Sequence, residues 1–176
     1  MALEHALLVS LTELSGSGYE LAQRFDKSIG FFWSATHQQI YRVLGRMDGD
    51  GWVSVEAVAQ EGRPDKKVYA VTELGRAALA DWLGQPTDTQ SLRSELAVKM
   101  RAASFGDREA VLDVVRANLA DHHVRLDHYE QLMKRDYPDP TTLTGLPLDQ
   151  YLVLRGGVLA EQTSITWLTE YLEAHA

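Results

Sequence analysis

The chain is 176 residues long, 45% hydrophobic and 24% charged, with no cysteine and a formal net charge of −8 at pH 7. That length holds one large or two small domains with a real core, and the lack of cysteine excludes a disulfide framework, thiolate zinc sites and thiol nucleophiles. The opening MALEHALLVSL has an acid at Glu4 and no basic leader, and no run nears about 18 uninterrupted apolar residues, so neither a secretory signal nor a membrane span is expected and the expected location is cytoplasmic.

In chain order, Leu3, Ala6, Leu7, Leu8, Leu11 and Leu14 make a wide helical stripe. Ser15-Gly16-Ser17-Gly18 stops that helix and starts a second, with Tyr19, Leu21, Ala22 and Phe25 as its apolar side. Gly30 breaks the second helix, and Phe31, Phe32 and Trp33 follow as an aromatic plug suited to core or domain-seam packing. Ser34 or Thr36 caps a third helix that runs to about Asp48 and is ended by Gly49-Asp50-Gly51. In that helix Ile40, Val43, Leu44 and Met47 fall within about 100° of one another, while Gln38, Arg42 and Gly45, flanked by Tyr41 and Arg46, face the other way. An apolar back with an amide and a guanidinium in front suits a helix that both packs and reads base edges, since Arg bridges guanine and Gln bridges adenine.

Residues 52–58 and 67–71 carry the β-branched and aromatic enrichment of strands, with a charged turn, Gln60 to Asp65, between them. Arg63, Lys66 and Lys67 give that turn the look of a device for touching a phosphate backbone. Thr72-Glu73-Leu74 opens a fourth helix that reaches Leu83 and stops at Gly84 and Pro86. Three helices, a hairpin and another helix in that order predict a winged helix–turn–helix over residues 1–86. A two-stranded hairpin cannot stand alone in water, so it must pack on the helices.

Gln85–Ser91 is polar and rich in breakers and reads as a domain joint. Residues 92–176 form a second, all-helical domain: a short helix over Leu92–Ala103, a long one capped by Asp107 and reaching Asp136, a three-proline loop over Tyr137–Pro147, and a last helix from Leu148 to about Glu173. Leu112, Val115, Leu119, His122, Leu126, Tyr129 and Met133 repeat with the 3,4 spacing of a coiled-coil seam. The last helix is apolar over a broad face that includes Tyr151, Leu152, Leu154, Val158, Leu159, Ile165, Trp167, Leu168 and Leu172. One hairpin of two such helices leaves apolar surface over, which predicts a homodimer. Gly156-Gly157 in mid-helix fits either the close approach of another helix or a kink. The overall class is mainly α, with a small β component.

Several constellations compete with DNA binding. Asp121, His122, His123, Asp127 and His128 cluster on one helix, yet zinc needs three or four converging ligands and these spread too widely in angle, so no metal or other cofactor is expected. His122, within the seam, fits a buried, hydrogen-bonded histidine, a ligand contact or a pH-sensitive element. There is no GxSxG, phosphate loop, HExxH or GxGxxG, so no enzyme is expected. Acidity is the main objection to DNA binding, because nucleic-acid binders normally leave a basic footprint. Residues 1–86 hold 8 Lys+Arg against 11 Asp+Glu, a charge of −3, and residues 87–176 hold 9 against 14, a charge of −5. Screening makes local field count for more than total charge, and Arg24, Lys27, Arg42, Arg46, Arg63, Lys66 and Lys67 all lie in or beside the proposed reading head. The rival reading is a protein-interaction module on the same scaffold, without DNA contact.

Gly18-Tyr19-Glu20, the run QIYRVLGRMDGDGWV, the segment EGRPDKKVYAVTELGRAAL and Trp167-Leu168 resemble the PadR family of bacterial transcriptional regulators. The resemblance is tight over Leu3–Leu83 and looser over the helical half, which is similar to the dimerising C-terminal domain of the family's longer members. It implies a winged-helix repressor that binds double-stranded operator DNA as a homodimer, some members being released by small phenolic or aromatic ligands. By position, it implies DNA contacts from Thr36, His37, Gln38, Tyr41 and Arg42 on the helix and from Arg63, Pro64, Lys66 and Lys67 on the wing. An aromatic effector, if bound, is expected between the domains near Phe31, Phe32, Trp33, His122 and Tyr129.

Overall fold

The computed structural model describes residues 3–27, 35–60, 63–87 and 94–176. It divides into two compact units, Met1–Thr89 and Gln90–Ala176. Helices α1 (Leu3–Glu13), α2 (Gly18–Lys27), α3 (His37–Gly49) and α4 (Glu73–Leu83) build the first unit, with strands β1 (Gly16–Ser17), β2 (Val53–Gln60) and β3 (Arg63–Val71).

The first core forms where the helical stripes meet. Leu7, Leu8 and Leu11 from α1, Leu21, Ala22 and Phe25 from α2, and Ile40, Val43, Leu44 and Met47 from α3 are all buried, and Val53, Tyr69 and Leu79 close the cluster. Fully burying side chains of this size contributes about 1.5–3 kcal/mol each, which offsets the cost of ordering three short helices. Two expected core positions turn outward instead. Leu14 lies just past the end of α1, and Tyr19 is exposed, its hydroxyl accepting from Gln23 Nε2 at 2.9 Å.

Ser15–Gly18 separates the first two helices as the sequence predicts, but within it Gly16 and Ser17 also form a strand, β1, which no sequence signal indicates, pairing antiparallel with Tyr69 and Val68. The sheet order is therefore β1-β3-β2, and β3 is central. The hairpin is longer than its composition signalled, with a register shift between Val58 and Gln60. Thr72 ties the root of the hairpin to α4. Its hydroxyl caps the helix by accepting from Gly75 N and donates to the Gly51 carbonyl at 2.7 Å.

In the second unit, α5 (Glu95–Arg101) runs into a short 3-10 turn, Ala103–Phe105, and is followed by α6 (Arg108–Asp136) and α7 (Gly145–Glu173). Asp107 caps α6, its carboxylate accepting from Ala110 N. The last helix starts earlier than expected, because Pro147 occupies its first turn, where a missing N–H leaves no intrahelical bond unmade. A further 3-10 turn, Pro140–Thr142, fills part of the link before it. Contacts between His122 and Glu161, Tyr129 and Gly157, and Tyr137 and Tyr151 run in opposite chain order, so α6 and α7 are an antiparallel pair. Met100, Val115 and Leu168 are the buried centre of this unit, and Tyr171 donates its hydroxyl to the Met100 carbonyl at 2.9 Å.

A candidate nucleic-acid interface on helix α3 and the wing

Helix α3 begins with a reciprocal cap. The Thr36 hydroxyl accepts from Gln39 N at 3.2 Å while the Gln39 side chain accepts from Thr36 N at 2.8 Å. Both side chains are thereby fixed at the positive end of the helix dipole, where an anion is favoured. Beyond the cap, Gln38, Arg42 and Gly45 are exposed on the side opposite the buried Ile40, Val43, Leu44 and Met47, and His37 is exposed at the first position of the helix. Thr36, expected to touch DNA, has its hydroxyl turned to capping.

Tyr41 is 48% exposed, and its ring lies directly over Gly18, so close that a Cβ there would come within 2.3 Å of a ring carbon. Any side chain at Gly18 would displace the ring from this seat. Arg46, on the flank of α3, reaches Glu4 at 3.2 Å.

The wing is less basic in three dimensions than in sequence. Lys66 Nζ contacts Glu20 Oε1 at 2.7 Å, and Lys67 on the next position is exposed. Arg24 Nη1 donates to the Ser10 and Leu14 carbonyls and so satisfies the end of α1. Of the seven cations grouped in the sequence, Arg24, Arg46 and Lys66 are engaged within the protein, while Arg42 and Lys67 are exposed. Arg63 and Pro64 lie on the backbone of β3, and their side chains, with that of Lys27, fall outside the described residues. So does the aromatic plug Phe31, Phe32 and Trp33.

Glu20 joins the reading head only in the folded chain. Its Oε2 accepts from Ser17 N at 2.8 Å and Ser17 Oγ at 3.0 Å, while Oε1 holds Lys66. These hydrogen bonds, with Lys66 the largest influence and Ser17 next, pull its carboxyl down to about 2. Ser17-x-x-Glu20 is a capping-box pattern, so half of this arrangement was open to reading; the Lys66 half was not.

The two effector candidates of the second unit are engaged in the helix pair. His122 Nδ1 lies 2.5 Å from Glu161 Oε2, and Arg125 Nε donates to Glu161 Oε1 at 3.1 Å. Tyr129 is only 5% exposed and packs its ring on Gly157. Burial and then the Glu161 carboxylate hold the Tyr129 hydroxyl above its ordinary range. The expected ligand-facing side of α6 is thus its packing face. Gly157 owes its place to Tyr129, which answers half of the Gly156-Gly157 question, and α7 is helical through both.

A capped helix with an exposed amide-and-guanidinium face, packed beside a two-stranded hairpin, defines a winged helix–turn–helix DNA-binding fold. Comparison with known proteins takes the assignment further. Residues 7–81 match the Transcriptional regulator PadR-like family, and residues 92–176 match the family described as Virulence activator alpha C-term. A probable transcriptional regulator of Mycobacterium tuberculosis, Rv1176c, is 50% identical, covering 99% of this chain and 97% of that protein. The negative transcriptional regulator PadR of Bacillus subtilis is 29% identical over 97% of this chain and 95% of its own. Its crystal structure in complex with operator DNA superposes with a TM-score of 0.87 at 26% identity, covering 99% of each chain. The Vibrio cholerae virulence activator AphA gives a TM-score of 0.81 at 32% identity, again over 99% of each chain. Bacillus subtilis PadR has also been solved with p-coumaric acid, at 24% identity and a TM-score of 0.81. This chain belongs to the PadR-like family of transcriptional regulators and is not an enzyme. Among the described residues, no helix is long and apolar enough to cross a membrane.

Proposed function

We propose that the chain is a repressor that binds a two-fold symmetric operator as a homodimer. Thr36, His37, Gln38, Tyr41 and Arg42 present α3 to the major groove, and the wing, with Arg63, Pro64, Lys66 and Lys67, lies along the backbone. The observation that carries the reading is the exposed Gln38–Arg42 face on a helix whose other side is buried in the core. The operator complex of the PadR relative supports the DNA partner, and that protein's description as a negative regulator supports repression.

Support for the homodimer comes from α7. Leu154, Val158 and Leu168 are buried, whereas Leu152, Leu159 and Trp167 are 52%, 49% and 42% exposed. At 3.6 residues per turn these two sets lie about 180° apart. With Gly156 and Thr163 between them, the exposed residues form a stripe at helical spacing, and nothing approaches the Gly156 position within 4 Å. A second copy of the chain covers that stripe in this reading and sets two α3 helices at successive major grooves, about 34–36 Å apart.

A small aromatic effector completes the proposal. Since Tyr129 is seated on Gly157, a ligand that reached it would have to part α6 from α7. The decisive experiment is selection of duplexes from a randomised pool, followed by gel shift with wild type and Arg42→Ala. Equal binding of the selected duplex by both would overturn the base-reading role. Titration with phenolic acids, following tryptophan emission and DNA affinity together, tests the effector; no change in either across the panel removes it.

A further inference from the structure

Three contacts converge where α2 begins, and each reaches a different part of the reading head. Gly16 and Ser17 pair with Tyr69 and Val68 of β3. Gly18 seats the Tyr41 ring of α3. Glu20 caps α2 through Ser17 and holds Lys66, which lies 46 positions away in sequence and two residues closer to the wing tip than Val68. The ion pair is therefore the tether on the tip side of the β1–β3 pairing, beyond which the hairpin projects.

An exposed lysine–carboxylate pair usually contributes little, because ordering two long side chains offsets the attraction. Here one partner is ordered already. Both Glu20 oxygens are engaged, and Ser17 holds the carboxylate through two hydrogen bonds of its own, on the oxygen that Lys66 does not use. Its charge also sets Glu20 apart. An acid beside a phosphate-binding surface opposes binding, and the first 86 residues are already acidic, with 11 Asp+Glu against 8 Lys+Arg.

We propose that Glu20 is a positioning residue for DNA readout: by holding Lys66 it aims the wing against α2 and removes that lysine from the phosphate-contacting set. This deepens the DNA-binding reading and rests on it. Of the residues named in that reading, Lys67 then carries a phosphate contact and Arg42 a base contact, while Lys66 lies on the wing without touching DNA, which narrows the contact set given above.

The test uses the full chain, a duplex that the wild type selects from a randomised pool, and a scrambled duplex of equal length. Glu20→Gln keeps an oxygen for Ser17 and removes the charge that holds Lys66; circular dichroism checks that it folds. The expected result is a loss of about three- to fivefold in the ratio of specific to scrambled affinity, the size of one surface ion pair. Lys66→Met gives the same loss with an unchanged salt slope, Lys66→Arg keeps the wild-type ratio, and the double variant Glu20→Gln/Lys66→Met is no worse than either alone. Three results overturn the proposal. Tighter binding of both duplexes by Glu20→Gln with a steeper salt slope makes Glu20 a mere mask on the lysine. A fall of about 0.9 in the slope for Lys66→Met makes Lys66 a phosphate contact. An unchanged ratio in both single variants leaves the wing aimed by other contacts. Failure of the wild type to select any duplex brings down the DNA-binding reading and this proposal together, and is distinct from all three.

Discussion

Gln38 and Arg42 stand one helical turn apart on the exposed side of α3, and their chemistry differs from that of Lys67 on the wing. A base-edge contact discriminates between sequences, whereas a phosphate contact does not. Arg42→Ala is expected to cost about 1–3 kcal/mol on the selected duplex and little on a scrambled one, measured by gel shift. Lys67→Ala is expected to weaken both alike and to lower the salt slope by about 0.9. Glu20 adds a pH dependence. Its carboxyl drops from an ordinary 4.5 to about 2 in the folded protein. A depressed carboxylate stabilises the fold fully above its unfolded value and loses that contribution as pH falls through its folded one. The stability gap between wild type and Glu20→Gln, at most about 1 kcal/mol for so exposed a pair, is therefore full at pH 6 and narrows below about 4.5. Denaturant titrations at pH 6 and pH 3 check this; a constant gap would contradict it.

Among elements, the α2–α3 pair depends on how closely Tyr41 approaches Gly18. A methyl at that position meets a ring carbon at 2.3 Å, so the ring or the helix must move. Gly18→Ala is expected to cost about 1–3 kcal/mol, as overpacking usually does, and to lower specific DNA affinity by turning α3. Equal melting temperatures for the two proteins would mean that Tyr41 swings clear without cost. Helices with strong local signals were legible in sequence: α3 from its stripe and stops, α4 from Thr72, α6 from Asp107. Strand β1 was not, because two residues carry no periodicity and the pairing exists only once β3 lies alongside. The start of α7 was missed for the opposite reason. Pro147 looked like a loop residue, although the first turn of a helix tolerates proline.

For the whole molecule, the uncovered stripe on α7 and the net charge of −8 pull in one direction. In the proposed reading, a head with a charge of −3 over residues 1–86 binds DNA weakly alone, and two heads joined in a homodimer gain effective concentration. Leu159→Glu with Trp167→Glu is expected to weaken self-association on the order of 10–100-fold, because a buried, unpaired charge is costly at an interface. Light scattering reads the change, and helix content should hold because both side chains are already half exposed. An unaltered dimer would place the interface elsewhere.

What the residues determined by themselves was local. Caps, glycine stops, the two opposed faces of α3 and the order of helices and hairpin all follow from interactions spanning a few positions, and they sufficed to place the chain in its family. Tertiary structure decided what each charge and each apolar face is for. Arg24, Arg46 and Lys66 look alike in sequence to Arg42 and Lys67, but only folding brings Leu14, Glu4 and Glu20 within reach of the first three. Likewise, the seam through His122 and Tyr129 could have faced a ligand or a second subunit, and it closes on α7 because Gly157 leaves room for a ring. Such choices depend on contacts between residues ten to more than forty positions apart, which no local pattern encodes.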